Sequence, residues 1–222
     1  AKLYETYVQI LKDELLPAMG CTEPVAVAYA GALARRALGG LPERVDIEVS
    51  RNIVKNVKSV VVPNTGGMRG LEAAAAIGIV AGDADGQLQV LAQVTKEQIL
   101  ETKEYMKTAE LHVVPAKSDY IFDICIHVYK GEDSAEARIV DFHTNVVMIR
   151  KNEDYILNKE ITGRTESSMA DKSLLTVKDI IEFADTVDIA DVKDVLDRQI
   201  SYNMDIAKEG MTNSYGANIG KV

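Results

Sequence analysis

The sequence predicts an α+β fold in which Ala-rich, buried helices pack against a mixed, mainly antiparallel sheet. In the N-terminal half, apolar residues recur at the spacing of helices, and alanine dominates the segment from Val25 to Leu38. Small side chains on several helix faces favour close packing, so these helices should be largely buried. From about Leu111 the apolar period changes to two residues, which indicates strands joined by short turns.

The N-terminal elements follow from apolar spacing and from residues that begin or end helices. An amphipathic helix from Leu3 to Leu15 should end before Pro17, and Thr22 is the expected cap of the Ala-rich helix, which Gly39-Gly40 ends. Arg44 to Ser50 alternates like a half-buried strand. The next elements are predicted as a helical turn or loop at 52–56, a short strand at 58–62, a helix at 71–80, a short strand at 87–91, and a helix at 95–108 capped by Thr95.

The second half is predicted to be a strand meander followed by two helices. Strands are expected at 111–114, 120–129, 135–142 and 145–151, a loop at about 158–171, and helices at 176–184 and 189–208. Residues 1–110 thus form a helix-rich part, 111–160 the antiparallel strands, and 172–222 the C-terminal helices. The glycine-punctuated end from Gly210 to Val222 predicts that 1–222 is the N-terminal domain of a longer chain.

Composition excludes several classes of partner. A net charge of −9 argues against binding to nucleic acid or to an anionic membrane surface. The sequence has neither an apolar run long enough to span a bilayer nor a signal-peptide core at its start. Two cysteines do not make a disulfide framework, so the predicted location is the cytoplasm with both thiols reduced.

The segment Gly20-Cys-Thr-Glu-Pro24 is the first candidate site, because it places a thiol and a carboxylate at a predicted helix start. The helix dipole and its free N–H groups should lower the pKa of Cys21, which suits a nucleophile, a base or an iron ligand. The alternative is a small packed thiol. Glu23 is a candidate acid or base, and the alternative is an acid that stabilises the first helical turn.

The second candidate is the glycine-rich loop Asn64-Thr-Gly-Gly-Met-Arg-Gly70 between a predicted strand and helix. Such a loop can turn several N–H groups toward an anion, and Arg69 can add a bidentate contact to a carboxylate. A plain tight turn is an equally good interpretation. The loop lacks the residues of a nucleotide-binding P-loop.

Two further candidates lie in the predicted strands. Asp123, Cys125 and His127 share one strand face, which is a conceivable metal site, but without Cys-x-x-Cys or His-x-x-x-His spacing an ordinary strand face is favoured. His143, within Asp141-Phe-His-Thr-Asn145, is a candidate substrate contact or proton carrier, and the alternative is a capped strand end.

Four blocks carry a resemblance when they are taken in order. They are Gly20-Cys-Thr-Glu-Pro-Val-Ala-Val-Ala-Tyr-Ala30, Asn52-Ile-Val-Lys-Asn56 leading to Val61-Val-Pro63, the glycine-rich turn into Ala73-Ala-Ala-Ala-Ile-Gly78, and His143-Thr-Asn145. Together they resemble the L-cysteine desulfidase family, which is related to the alpha chain of the iron–sulfur L-serine dehydratases and includes many uncharacterised proteins. The resemblance spans essentially the whole chain.

The resemblance implies an oxygen-sensitive lyase of amino-acid catabolism that carries a [4Fe-4S] cluster. It would convert L-cysteine to pyruvate, ammonia and sulfide, or L-serine to pyruvate and ammonia, with iron as Lewis acid and a base that takes the α-proton. Cys21 matches the family's motif cysteine as that base, with a cluster ligand as its alternative role, and Glu23 lies in the same block. The matched positions implied to bind substrate are Asn52, Asn56, Thr65, Gly66, Gly67, His143 and Thr144.

The sequence also departs from the family pattern. Family members are considerably longer, and the cysteines that hold their cluster lie in a C-terminal half that this chain lacks. Cys21 and Cys125 cannot supply the usual ligand set alone. We therefore expect neither a bound cluster nor activity from this chain by itself, and an exposed apolar face for the missing C-terminal half. One alternative for that face is a homodimer contact. The alternative function is a non-catalytic domain that binds a small anion or a partner chain.

Overall fold

The computed structural model describes residues 2–161 and 170–215, which divide between two units. Residues 1–17 and 164–222 belong to one unit, and residues 18–163 belong to the other. The predicted α+β class is confirmed, because the described residues form helices together with a mixed, mostly antiparallel six-stranded sheet.

The elements are numbered along the whole chain. The α-helices are α1 (Lys2–Glu14), α2 (Thr22–Leu38), α3 (Arg51–Val57), α4 (Gly70–Ala81), α5 (Lys96–Thr108), α6 (Val177–Thr186) and α7 (Ile189–Thr212). The strands are β1 (Arg44–Val49), β2 (Glu110–Pro115), β3 (Asp123–Lys130), β4 (Asp133–Val140), β5 (Val146–Lys151) and β6 (Asp154–Asn158).

The sheet has the order β2-β1-β3-β4-β5-β6. The predicted meander is present in β3 to β6, whose neighbours are all antiparallel. The first strand of that predicted run, β2, departs from it by pairing parallel with β1 at the sheet edge. The physical reason is that α3, α4 and α5 form the long crossover that a parallel pair requires.

The core of this unit lies where α2 meets α4 and the sheet. A Cβ added at Gly78 would lie 2.0 Å from the carbonyl oxygen of Ala28, so the two helix backbones cross in direct contact. Ile47, Ile126 and Ala137 are fully buried from β1, β3 and β4. Alternation along each strand therefore leaves the polar residues of β3 and β4 on the opposite face of the sheet.

Several local predictions were wrong. The expected strand at 58–62 is reduced to an isolated bridge between Val61 and Arg69, and the expected strand at 87–91 contains the 3₁₀ helix Gln87–Gln89. Short apolar runs do not distinguish these states by periodicity. Thr22 is not the cap of α2, because the helix begins at Thr22 and Cys21 occupies the capping position.

Two further elements differ from the prediction, and two predicted segments lie partly outside the described residues. The segment 52–56 is part of the helix α3, and β6 was not predicted. The expected loop at 158–171 and the glycine-punctuated end both fall partly outside the described residues, although α7 continues to Thr212.

The other unit joins the first helix to the predicted C-terminal helices. The Tyr4 hydroxyl donates to Asp191 at 2.6 Å, and the Tyr7 hydroxyl donates to the carbonyl of Leu174 at 3.1 Å. Both tyrosine rings pack against Phe183. Within residues 2–161 and 170–215, every helix is too short or too polar to cross a lipid bilayer.

Candidate functional site

The Cys21 thiol and the Glu23 carboxylate form a hydrogen-bonded pair at the start of α2. The thiol donates to Oε2 of Glu23 at 3.4 Å, and the Thr22 hydroxyl approaches the same oxygen at 3.4 Å. Cys21 is exposed, while Glu23 is half-buried. The predicted thiol and carboxylate are therefore in direct contact and reachable by a ligand.

The backbone just before this pair touches the glycine-rich loop. Gly20 has φ +147°, and a Cβ added there would lie 3.1 Å from Cγ of Pro63. A side chain at this position would have to push Pro63 away. Two of the sequence blocks, the one around Cys21 and the one that ends at Pro63, thus meet in the structure.

The pKa of Cys21 is raised, which corrects the expectation of a lowered value. Burial is the largest cause, followed by the hydrogen bond to Glu23 and by the negative charge of that carboxylate. The backbone N–H of Glu23 acts in the opposite direction and more weakly. The position at the helix start was predicted correctly, but the neighbouring carboxylate outweighs the helix terminus.

The pKa of Glu23 is lowered. Burial opposes its ionisation, but its own backbone N–H, the Cys21 thiol, the charge of His143 and the Thr22 hydroxyl together outweigh that effect. At neutral pH the shared proton therefore resides on sulfur and the negative charge on Glu23.

His143 belongs to the same site. It lies in the connection between β4 and β5, with its ring 4.6 Å from that of Phe122 and close enough to Glu23 for their charges to interact. Burial lowers the pKa of His143, and Glu23 opposes this shift, so the imidazole is neutral at pH 7. Its Nε2 atom is buried and has no hydrogen-bond partner among residues 2–161 and 170–215, which leaves one donor or acceptor for a ligand.

The glycine-rich loop has a fixed base and an open tip. Gly66 and Gly67 have φ values of +64° and +98°, and a Cβ added to either would meet no atom of the described part of the chain within 4 Å. The Asn64 side chain donates to the carbonyl of Leu91 at 2.8 Å, and the buried Thr65 hydroxyl donates to that of Val62 at 2.7 Å. Thr65 thus supports the loop from inside, while the two glycines leave room for a ligand.

The remaining predicted site residues make no described hydrogen bond with the Cys21 and Glu23 side chains. Arg69, proposed as a carboxylate contact, donates to the carbonyl of Ser59 at 2.8 Å. Asn52 and Asn56 lie on α3, exposed and half-buried respectively, and no hydrogen bond between described residues joins them to Cys21 or Glu23. Thr144 is half-buried beside His143.

The strand face predicted as a conceivable metal site is divided between two clusters. Asp123 is hydrogen-bonded to Ser118 and forms a bidentate ion pair with Arg138, at 2.9 and 2.7 Å. Cys125 and His127 instead lie with Glu136 of β4, and their ligand atoms are within 4.8 Å of one another. Sequence spacing could not find Glu136, because only the register of β3 with β4 brings it beside His127.

The residues of this chain do not fit a [4Fe-4S] cluster. Such a cluster is held by about four cysteine thiolates. The sequence contains two cysteines, one exposed at the start of α2 and one buried in the middle of β3. At most Cys21 can contribute a ligand, and every other ligand would have to come from outside this chain.

The chain is similar over nearly its whole length to UPF0597 proteins, an uncharacterised group. It is 49% identical to the one from Desulfitobacterium hafniense over 221 residues, which are 100% of this chain and 51% of that relative. Relatives in Treponema denticola (42% identical) and Fusobacterium nucleatum (41%) each cover 98% of this chain, and the match covers 51% of each of them. The chain thus spans about half the length of these relatives, whose names state no activity. No family profile and no solved structure matches it.

Proposed function

We propose that this chain is the N-terminal part of an amino-acid β-lyase and that Cys21 and Glu23 transfer the proton from the substrate α-carbon. The observation that carries the proposal is the contact of the exposed Cys21 thiol with the ionised Glu23, beside an unpartnered imidazole nitrogen of His143. Titratable groups with shifted pKa values that converge at one place are typical of sites of proton transfer.

The two pKa shifts keep the proton on the Cys21 thiol and the negative charge on Glu23 in the free chain. The proposed mechanism therefore requires substrate binding to move that proton from sulfur to Glu23, which later gives it to the leaving group. A thiolate whose conjugate thiol has a raised pKa is a stronger base, which suits a weakly acidic α-proton. The thiolate takes that proton, and the β-substituent leaves with the bonding electron pair.

The products then follow from the substrate. Loss of the β-substituent leaves an enamine, which tautomerises and reacts with water to give pyruvate and ammonia. From L-cysteine the leaving group is sulfide, and from L-serine it is hydroxide. L-Cysteine is the proposed substrate. L-Serine is kept as the alternative, because no described residue of the site distinguishes a thiol from a hydroxyl.

Substrate binding is assigned to the two groups that have unused capacity. The tip at Gly66 and Gly67 is open and follows Pro63, which Gly20 contacts, and backbone N–H groups at such a turn suit a carboxylate. The free Nε2 of His143 suits the amino group or the leaving group. Asn52, Asn56 and Thr144 are proposed to complete the site in the ligand-bound protein.

The proposed partner is the half of the polypeptide that the relatives have and this chain lacks. Two observations support this proposal. The chain matches only about half of each relative, and α6 and α7 carry exposed apolar side chains, among them Val177 (76% exposed), Ile206 (70%) and Ile189 (65%). The [4Fe-4S] cluster implied by the family resemblance is proposed to be held mostly by that half.

The test is an anaerobic assay of the full-length relative from Desulfitobacterium hafniense after reconstitution with iron and sulfide. Pyruvate and sulfide are measured separately with L-cysteine and with L-serine. Pyruvate from either amino acid supports the β-lyase, and sulfide in equal amount identifies cysteine as the substrate. Absence of pyruvate from both would reject the proposed function.

A second candidate is a domain that binds a small carboxylate without turning it over. The observation in its favour is the open, glycine-lined tip at Gly66 and Gly67, which requires no catalytic group. The full-length relative separates the two, because a binding domain would bind pyruvate or L-serine in calorimetry and still form no product in the anaerobic assay.

A further inference from the structure

A second cluster of charged side chains lies on the polar face of the same sheet, where β1, β3, β4 and β5 are neighbours. The register places Glu48 opposite Cys125, and His127 opposite Glu136, which is in turn opposite Arg150. Directly opposed residues share a face. These five side chains therefore form one group across four strands, and the proposed β-lyase chemistry uses none of them.

The donor atoms in this group converge around His127. Its Nδ1 lies 2.6 Å from a carboxylate oxygen of Glu136, and its Nε2 lies 3.4 Å from one of Glu48. The second oxygen of Glu136 accepts from Arg150 at 2.6 Å. The thiol of Cys125 completes a sulfur, nitrogen and oxygen set whose members are all within 4.8 Å of one another.

Without a metal, protons hold this group together. Burial opposes protonation of His127, but hydrogen bonds to Cys125 and Glu136 outweigh it and raise its pKa to about 11. Burial raises the pKa of Cys125, so its thiol also keeps a proton at pH 7. With His127 and Arg150 positive and both glutamates negative, the group has no net charge.

The composition of this group suits a divalent cation. The carboxylates of Glu48 and Glu136 lie on either side of His127, and the thiol of Cys125 adds a softer donor to the imidazole and the carboxylate.

We propose that Cys125, His127 and Glu136 bind a zinc ion, with Glu48 as the fourth ligand. A thiolate, an imidazole and a carboxylate are the donors that Zn²⁺ prefers. Four-coordinate zinc keeps its ligand atoms roughly 3.5 Å apart. That spacing lies between the 2.6 Å from His127 to Glu136 and the 4.8 Å limit of the Cys125, His127 and Glu136 group. A surface cavity of about 90 Å³ lined by His127, Glu136 and Arg150 gives the ion a path.

The other charged residues on this face leave the four donors available. Asp123 is already bound by Arg138, and Asp46 is bound by Arg44 and His112 at 3.3 Å each. Arg150 also lies 5.6 Å from the ring of Tyr155. None of these residues would have to change partners for zinc to bind.

The test uses the metal-free chain and Co²⁺, a spectroscopic substitute for zinc. We expect stoichiometric binding with a thiolate-to-metal absorption band, displacement of Co²⁺ by Zn²⁺, and release of protons, so that binding is tighter at about pH 8 than at about pH 6. Cys125→Ser should remove the band, and the matched control Cys21→Ser should keep it.

If the circular dichroism spectrum shows that Cys125→Ser does not fold like the wild type, Glu136→Gln is tested in its place. This variant should keep the thiolate-to-metal band and lower the affinity for Co²⁺ at least about tenfold. Three results would overturn the proposal: no binding at micromolar Co²⁺, binding without a thiolate band, or a band that Cys21→Ser abolishes. The last result would assign the metal to the start of α2 and is independent of whether the β-lyase assay succeeds.

Discussion

Burial is the largest cause of the raised pKa of both cysteines of this chain, but their surroundings differ in what they leave unused. Cys21 is exposed beside Glu23 and His143, where a buried imidazole nitrogen has no partner. Cys125 is buried among side chains that pair with one another across the sheet. The first group has unused capacity for a ligand, while the second can accept one only by exchanging protons for it.

This difference separates catalysis from structure. A group that must act on a substrate keeps an accessible atom and a partner that is ready to take a proton. A group whose charges are already balanced stabilises the fold, and removing any one member leaves the others uncompensated. Substitutions in the two regions should therefore affect different measurements.

The largest difference is expected in turnover. In the full-length relative from Desulfitobacterium hafniense, alanine at the position aligned with Cys21 should lower the rate of pyruvate formation by about 10²–10⁴-fold, because the proposed base is lost. Serine at the position aligned with Cys125 should leave the rate within about threefold of wild type. Equal losses from both substitutions would contradict the distinction.

The free energy of unfolding should fall more for a substitution around Cys125 than for one around Cys21. Glu136→Ala leaves His127 and Arg150 without the carboxylate that they share, and Glu136 is 7% exposed, so the free energy of unfolding should fall by roughly 3–5 kcal/mol. Glu23→Gln keeps the shape of a half-exposed residue and should cost less than about 1 kcal/mol. Urea denaturation of this chain measures both, and a larger loss for Glu23→Gln would reverse the assignment.

How far the sequence predicts this molecule can be seen at particular residues. Thr95 and Gln98 form the predicted start of α5 as a capping box, and the alanines of α2 are buried as expected, because such features depend on neighbours along the chain. The parallel pairing of β2 and the contact of His127 with Glu136 and Glu48 depend on strand register, which local patterns do not specify.

The site shows the same division. The start of α2 at Thr22 was predictable to within one residue, because Thr22 was expected as its cap. The approach of Gly20 to Pro63 was not predicted, because it depends on the tertiary fold. The direction of the thiol pKa was not predictable, because it depends on the Glu23 side chain folding back onto the sulfur. A helix terminus alone predicts the opposite sign.

The pH dependence of stability should report on the second cysteine's surroundings. The pKa of His127 is raised from 6.5 to about 11, so its contribution to stability is fully present below pH 6.5 and is lost as the pH rises toward 11. His127→Gln should remove that decline between these values. Thermal melts of both proteins across this range test the prediction, and parallel curves would show that His127 does not hold the proton.

The smallest expected effect concerns the loop tip. Gly66→Ala forces an alanine to φ +64° and should lower the free energy of unfolding by about 1 kcal/mol, while the added methyl group meets no atom. A proposed substrate carboxylate at this tip should therefore bind more weakly even though the fold is retained. Calorimetry with L-serine checks this, and unchanged affinity would remove the tip from the site.

The most direct test of the Cys21–Glu23 pair is the pH dependence of thiol alkylation in this chain. A Cys125→Ser background leaves Cys21 as the single thiol, and iodoacetamide reacts with its thiolate. We expect a midpoint above the ordinary pKa of cysteine, and a lower midpoint in the Glu23→Gln variant because the negative charge that raises the thiol pKa is gone. A midpoint below the ordinary value that Glu23→Gln does not change would contradict this expectation. It would show that the helix terminus sets the pKa of Cys21 and that the hydrogen bond to Glu23 does not.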